Sequence, residues 1–124
     1  MTTWSREDLD RIATTDELQV APQQDDGTLR SPTTVWVVRD GDDVYVRSYR
    51  GASGHWFRTA QTSHAGHITC DGVDTDVTFA EEPDPTVNDR VDTAYRSKYR
   101  QFSEYVAPMV AAGARATTLK LLPR

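Results

Sequence analysis

Cysteine is nearly absent from this chain of 124 residues: Cys70 stands alone, so no internal disulfide can form, as suits a reducing cytosol. Long apolar runs are missing as well. No stretch nears the ~20 residues of a membrane span, and the opening MTTWSREDLD lacks the apolar core of a signal peptide. A cytoplasmic protein with no membrane partner is therefore expected. Positive charge is in deficit, with 14 Lys and Arg against 19 Asp and Glu, net −5. That balance argues against general nucleic-acid binding. There are no internal repeats and no low-complexity tracts. What remains is one domain over residues 1–124. A chain of this size buries roughly two-thirds of its unfolded surface and needs neither disulfide nor metal to fold.

The charge is uneven. Residues 1–27 carry two basic and seven acidic groups, residues 63–124 seven and nine, but residues 28–62 carry five arginines against three aspartates. Every cation of this basic island is an arginine. The planar guanidinium fork suits phosphate and carboxylate better than an ammonium does.

Along the chain, Ser5 is placed to cap a helix through about Thr14, with Glu7, Asp8 and Asp10 in its early turns. ELQVAP reads as a strand ending near Pro22, and QQDDG as a turn. TTVWVV (33–38) is the strongest strand signal, and its unbroken apolarity predicts burial on both faces. RDGDD turns the chain into VYVRSY, where Tyr45, Arg47 and Tyr49 alternate with Val44, Val46 and Ser48. A glycine-rich loop, RGASG, leads into a short helix from Trp56 to about Thr62. HITC and VDTDVTFA form a second hairpin. Val87, Val91, Tyr95, Tyr99, Phe102 and Val106 mark one face of a long helix that Pro108 ends or kinks. RATTLKLLP closes the chain as a strand. The expected class is α+β, mainly β: a small antiparallel barrel of about six strands, which removes exposed edges.

The block SPTTVWVVRDGDDVYVRSYRGASGHWFRTA resembles the core of the split β-barrel flavin- and deazaflavin-binding superfamily. The whole chain, from W…DLDRI through DTAYRSKY to TLKLLPR, resembles a bacterial domain of unknown function, number 2255, a small relative of that superfamily. The resemblance implies a split β-barrel and a cofactor such as FMN or a deazaflavin. It carries the phosphate-binding strand end onto Arg47, Ser48, Tyr49, Arg50 and Gly51. It carries the loop and helix onto Gly54, Trp56, Phe57 and Arg58. Arg58-Thr59 stands where the deazaflavin reductases usually have Asn and an apolar residue.

The residues support an anion site here on their own chemistry. Arginine gives charge-assisted hydrogen bonds, Ser48 adds a hydroxyl, and glycines let backbone amides approach. Arg47 and Ser48 lie on opposite faces of a regular strand, so both reach one anion only if the strand bends. The same arginines could instead pair with the chain's carboxylates or lie solvated. Trp36 and Trp56 are core residues or walls for a planar ring. His55, inside the glycine loop, is the candidate proton donor. His64, His67 and Cys70 recur at three-residue spacing, but Gly66 and the β-branched residues favour turn and strand, so no metal site is expected. Tyr95, Lys98 and Tyr99 pack the core or reach the pocket mouth. Tyr45 and Tyr49 are candidates for a homodimer interface. Two functions follow. One is a flavin- or deazaflavin-dependent oxidoreductase acting on a small conjugated or aromatic compound. The other is a non-catalytic module, binding a small molecule or assembling as a dimer, with no cofactor.

Overall fold

A computed structural model describes residues 3–124. Helix α1 (Arg6–Thr14) begins as its cap predicts: Ser5 Oγ accepts from the Asp8 amide at 3.1 Å, and Leu9 and Ile12 are buried. Seven strands follow: β1 (Leu18–Pro22), β2 (Thr33–Val35), β3 (Val37–Asp40), β4 (Asp43–Val46), β5 (Ala65–Cys70), β6 (Val73–Glu81) and β7 (Leu119–Pro123). The other helices are α2 (His55–Ser63), α3 (Pro85–Lys98), α4 (Ser103–Val110) and α5 (Ala112–Arg115). No helix among the described residues is long and apolar enough to cross a membrane.

All neighbours in the sheet are antiparallel, in the order β2-β1-β5-β6-β7-β4-β3. The two edge strands, β2 and β3, are consecutive in sequence and separated only by Trp36. The segment expected as one strand therefore switches partners at Trp36, from β1 to β4, and that is why there are seven strands rather than six. Chain continuity through Trp36 joins the two edges, and the sheet forms a nearly closed barrel. Burial on both faces holds for Val37 and Val38, each fully buried, but not for Thr34, which is exposed.

Two cores result. The barrel interior holds Val20, Val37, Ile68, Val77, Phe79 and Leu121 with Leu9 and Ile12 of α1 and Phe57 of α2. The second lies outside the β3–β4 hairpin, where Val38 and Tyr45 meet Val91, Tyr95 and Tyr99 of α3 and Val106 and Met109 of α4. The expected long helix breaks at Tyr99, whose φ of −109° and ψ of 26° leave the helical region, and a 3₁₀ turn (Arg100–Phe102) precedes α4. Pro108 lies inside α4 instead of ending a longer helix. The three- and four-residue spacing runs on across the break, so periodicity hides it.

Candidate functional site

The barrel switch creates a fork. β3 and β4 pair as far as Val37 opposite Val46. Beyond that point β2 swings to β1, while residues 47–50 run into a 3₁₀ turn (Gly51–Ser53) and α2. A cleft of about 520 Å³ opens between the diverging segments. β2 and Trp36 form one side, Arg47 to Arg50 and Gly54 to Trp56 the other; Tyr105 and Met109 of α4, Arg30 and Glu17 complete it.

Backbone groups left without sheet partners at the kink are met by the AYRSKY stretch of α3. The Val37 amide donates to the Tyr99 hydroxyl at 3.0 Å, and that hydroxyl donates to the Asp16 carbonyl at 2.7 Å. Lys98 Nζ donates to the carbonyls of Val37 at 2.6 Å and Ile12 at 3.1 Å. Burial lowers the Lys98 ammonium to about 8, against the opposing pull of Asp16 and Cys70. Lys98 and Tyr99 thus brace the fork. Trp36 lies flat on Tyr99, with ring centroids 3.9 Å apart and planes within 2°. One face of the indole is covered, and Trp36 lines the cleft with the rest.

Arg47 corrects the expectation placed on it. The residue is 1% exposed and points toward α3. Its guanidinium donates to Thr118 Oγ1 (2.8 Å), Asp92 Oδ1 (2.5 Å), the Met109 carbonyl (3.0 Å) and the Asn88 carbonyl and Oδ1 (both 3.2 Å). Those are five acceptors for five N–H donors. The ring of Tyr95 lies 5.4 Å from its Cζ. No donor remains for a ligand, so Arg47 anchors β4 to α3, α4 and the start of β7. Tyr45 on the same face is likewise buried under α3, at 1% exposure, and is unavailable to a partner chain.

Ser48 takes the opposite course. It too is buried, its amide donates to Thr117 Oγ1 at 2.8 Å, and it lines the cleft. Among the described residues its own hydroxyl has no hydrogen-bond partner. It lies against the N-terminus of α2, so close that a Cβ at Gly54 would collide with Ser48 Oγ and approach the Gly51 carbonyl to 3.4 Å. Only glycine fits there. No side chain caps α2, and its first residues, Gly54 to Trp56, line the cleft.

Charge at this end is unpaired. The ion-paired arginines among the described residues are Arg11, Arg39, Arg47, Arg90 and Arg115. Arg30, Arg50 and Arg58 are in none of these pairs. Arg30 and Arg50 line the cleft. Arg58 faces an adjoining hollow, which Arg30 and His55 share. Of the residues expected at the site, Ser48, Tyr49, Arg50, Trp56, Trp36 and His55 converge on the cleft. Gly51 does not; it holds a φ of +67° and sits against Gly113, setting the turn. Glu17, Arg30, Tyr105 and Met109 escaped the sequence because long-range folding delivers them. The histidines do not converge with Cys70, which is buried. His67 lies between Asp74 and Asp76 on the hairpin surface, and His64 turns the chain after α2.

The fold is shared with solved structures of low identity. A conserved hypothetical protein from Mycobacterium tuberculosis matches at TM-score 0.66 and 13% identity, over 99% of this chain and 81% of that one. The heme storage protein HutZ from Vibrio cholerae matches at TM-score 0.66 and 12% identity, over 100% and 92%. An F420-H2 dependent reductase matches at TM-score 0.63 and 10% identity, over 86% and 93%. No curated protein matches the sequence. The split-barrel architecture is thus common to a reductase and a heme storage protein. Residues 8–121 match the family model described as "uncharacterized protein conserved in bacteria" (DUF2255), and the chain belongs to that family.

Proposed function

We propose that the fork cleft binds a planar aromatic cofactor by its anionic group, as FMN or a deazaflavin would present it, and that the protein is a reductase acting on a small conjugated or aromatic compound. One observation carries the reading: the hydroxyl of the nearly buried Ser48 makes no hydrogen bond among the described residues, reaches the cleft, and lies against Gly54 at the uncapped start of α2, with Arg50 on the same lining. A phosphate or carboxylate would satisfy the hydroxyl, the amides and the guanidinium together. Ser48, Arg50, Arg30 and the first turn of α2 would hold the anion, and Trp36 would support the ring. A flavin or deazaflavin bound there supplies hydride transfer. The chain's own part is to bind, orient and partly shield the ring, and His55 at the mouth is the candidate proton donor. Titration of the purified protein with FMN and with F420, followed by absorbance, tests this. Saturable binding that weakens in Arg50→Ala is expected. No saturation with either compound would overturn it.

A second reading is binding without catalysis. It draws on the cleft's sparse acid–base groups, Glu17 and His55, both exposed, and on a fold shared with a heme storage protein. Saturable binding without turnover of any hydride acceptor would favour it. In either reading we propose a homodimer. Tyr49, Phe102 and Tyr105 are 39–56% exposed around the cleft, and aromatic side chains are enriched where protein surfaces meet. Sedimentation at micromolar concentration checks this, and a monomer there would count against it.

A further inference from the structure

The cleft is electrically ordered along its length. At one end Arg30 and His55, at the start of α2, border the adjoining hollow that holds Arg58 and Asp25, and Arg50 also lines the cleft. Glu17, the only carboxylate lining the cleft among the described residues, stands with Trp36 and Tyr105 at the other, where a second hollow adjoins. The β1–β2 register fixes how far Glu17 lies from Arg30 along the hairpin. Leu18 pairs with Val35, so Glu17 is level with Trp36, and the Arg30 amide bonds to the Pro22 carbonyl at the far end of the hairpin. Five strand residues separate the two levels, about 17 Å. Past Glu17 the cleft opens into a second hollow that shares Glu17, Trp36 and Tyr105 and adds Asp16 and Gln19. Among the described residues the carboxylates of Asp16 and Glu17 are in no ion pair or hydrogen bond; only their backbone carbonyls accept, from Tyr99 and Thr15. Trp36, Tyr49, Trp56 and Tyr105 give the lining its aromatic surface, interleaved with Thr33, Thr34, Val35 and Met109.

We infer that the ligand of this cleft is dipolar: an elongated aromatic compound with an anionic group for Ser48, Arg50 and α2, and an ammonium or other strong hydrogen-bond donor for Glu17 at the opposite end. The inference rests on the anion site proposed above and adds the class of molecule that site selects. Glu17 is a specificity residue in this scheme. Its carboxylate rejects a second anion at the Trp36 end and favours a cation there. Without such a group on the ligand, Glu17 meets only water or an apolar substituent.

Two synthetic probes separate the possibilities: 4′-(aminomethyl)biphenyl-4-yl phosphate and 4′-methylbiphenyl-4-yl phosphate, titrated by quenching of tryptophan fluorescence. The unmodified protein is expected to bind the ammonium probe about fivefold more tightly than the methyl probe, the range of a solvent-accessible ion pair. Glu17→Gln removes that preference, bringing the ratio of the two affinities to about one. Arg50→Ala weakens both probes in parallel. Equal affinities in the unmodified protein, or a preference that survives Glu17→Gln, would overturn the inference and leave the anion site standing. Failure of both probes to bind overturns the anion site and the inference together.

Discussion

Arg47 and Arg50 stand three residues apart at the end of one hairpin, and the fold treats them as opposites. Arg47 is among the largest fully buried side chains, while Arg50 is exposed at the cleft. Their side-chain chemistry is identical. The difference lies in the supply of acceptors. Behind β4, the first turns of α3 bring Asn88 and Asp92, α4 ends on the Met109 carbonyl, and Thr118 precedes β7, so every guanidinium N–H has a partner. Asp92 passes the network on to Arg115 at 2.8 Å. In front of β4, among the described residues, no carboxylate pairs with Arg50. A buried guanidinium survives only when its donors are all met. An unpaired one at the lip of a cleft costs little and stays available.

Removing the buried member tests the comparison hardest. Arg47→Met leaves Asp92 Oδ1, the Met109 carbonyl and both Asn88 oxygens without their buried donor, with only Arg115 still on Asp92, and is expected to cost about 3–5 kcal/mol in urea unfolding. The double variant Arg47→Met/Asp92→Leu should recover much of that loss, because no unpaired charge remains. If Arg47→Met unfolds like the unmodified protein, the two arginines are not opposites and the anchoring role fails.

Removing the exposed member should move binding and leave stability alone. Arg50→Ala is expected to stay within about 0.5 kcal/mol of the unmodified protein in the same urea experiment. Its affinity for FMN or F420, whichever binds, should fall by about tenfold or more, the worth of a charge-assisted hydrogen bond. A destabilised Arg50→Ala with intact affinity would reverse the assignment.

These contrasts mark what the sequence can and cannot disclose. The α1 cap, the two hairpin turns and the α2 helix are local, and local signals placed them within a residue or two, although β4 stops at Val46, three residues short of the expected VYVRSY strand. The contiguous part of the cleft lining, Ser48 to Arg50 with His55 and Trp56, was legible for the same reason. The kink at Trp36 was not. TTVWVV carries no breaker, and the groups that stabilise its bend, Lys98 and Tyr99, arrive from sixty residues away. Arg47 was misjudged on similar grounds, since a strand arginine reveals its charge but not that Asn88 and Asp92 will meet it. Alternation did put Tyr45 and Arg47 on one face. It could not say that the face would be covered by α3.

Lys98 extends the contrast to a half-buried cation. Its folded value of about 8 lies below the ordinary lysine value, because burial disfavours the charged form. Between about pH 8 and the unfolded value near 10.4, the unfolded chain therefore binds more protons than the folded one, and stability rises with pH. Tyrosine ionisation complicates readings above about pH 9.5, since burial raises Tyr45, Tyr95 and Tyr99. Urea unfolding from pH 7.5 to 9.5 should show a gain of about 1 kcal/mol, discounted for the residue's access to water. Lys98→Met should show none of that gain. Parallel pH curves for the two proteins would mean that Lys98 does not feel its burial.

The smallest effect belongs to the exposed counterpart of the Arg47 network. His67 on β5 meets Asp76 through Nδ1 at 2.7 Å and Asp74 through Nε2, across the register with β6. Both ring nitrogens can donate only in the imidazolium form. The hydrogen bond to Asp76 raises His67, desolvation opposes it, and Asp74 adds to the rise; the same bond to His67 lowers Asp76. A base raised by its partners stabilises the fold fully below its unfolded value near 6.5 and loses that contribution as pH climbs through the folded value. At the acid end the contribution fades as pH falls through the lowered value of Asp76. His67→Gln should therefore melt below the unmodified protein near pH 5.5 and together with it at pH 9. The gap should shrink in 1 M salt, because exposed pairs are screened where buried ones are not. A gap that persists at pH 9 would show that His67 works by packing, and the division between buried and surface charge would then need redrawing on this hairpin.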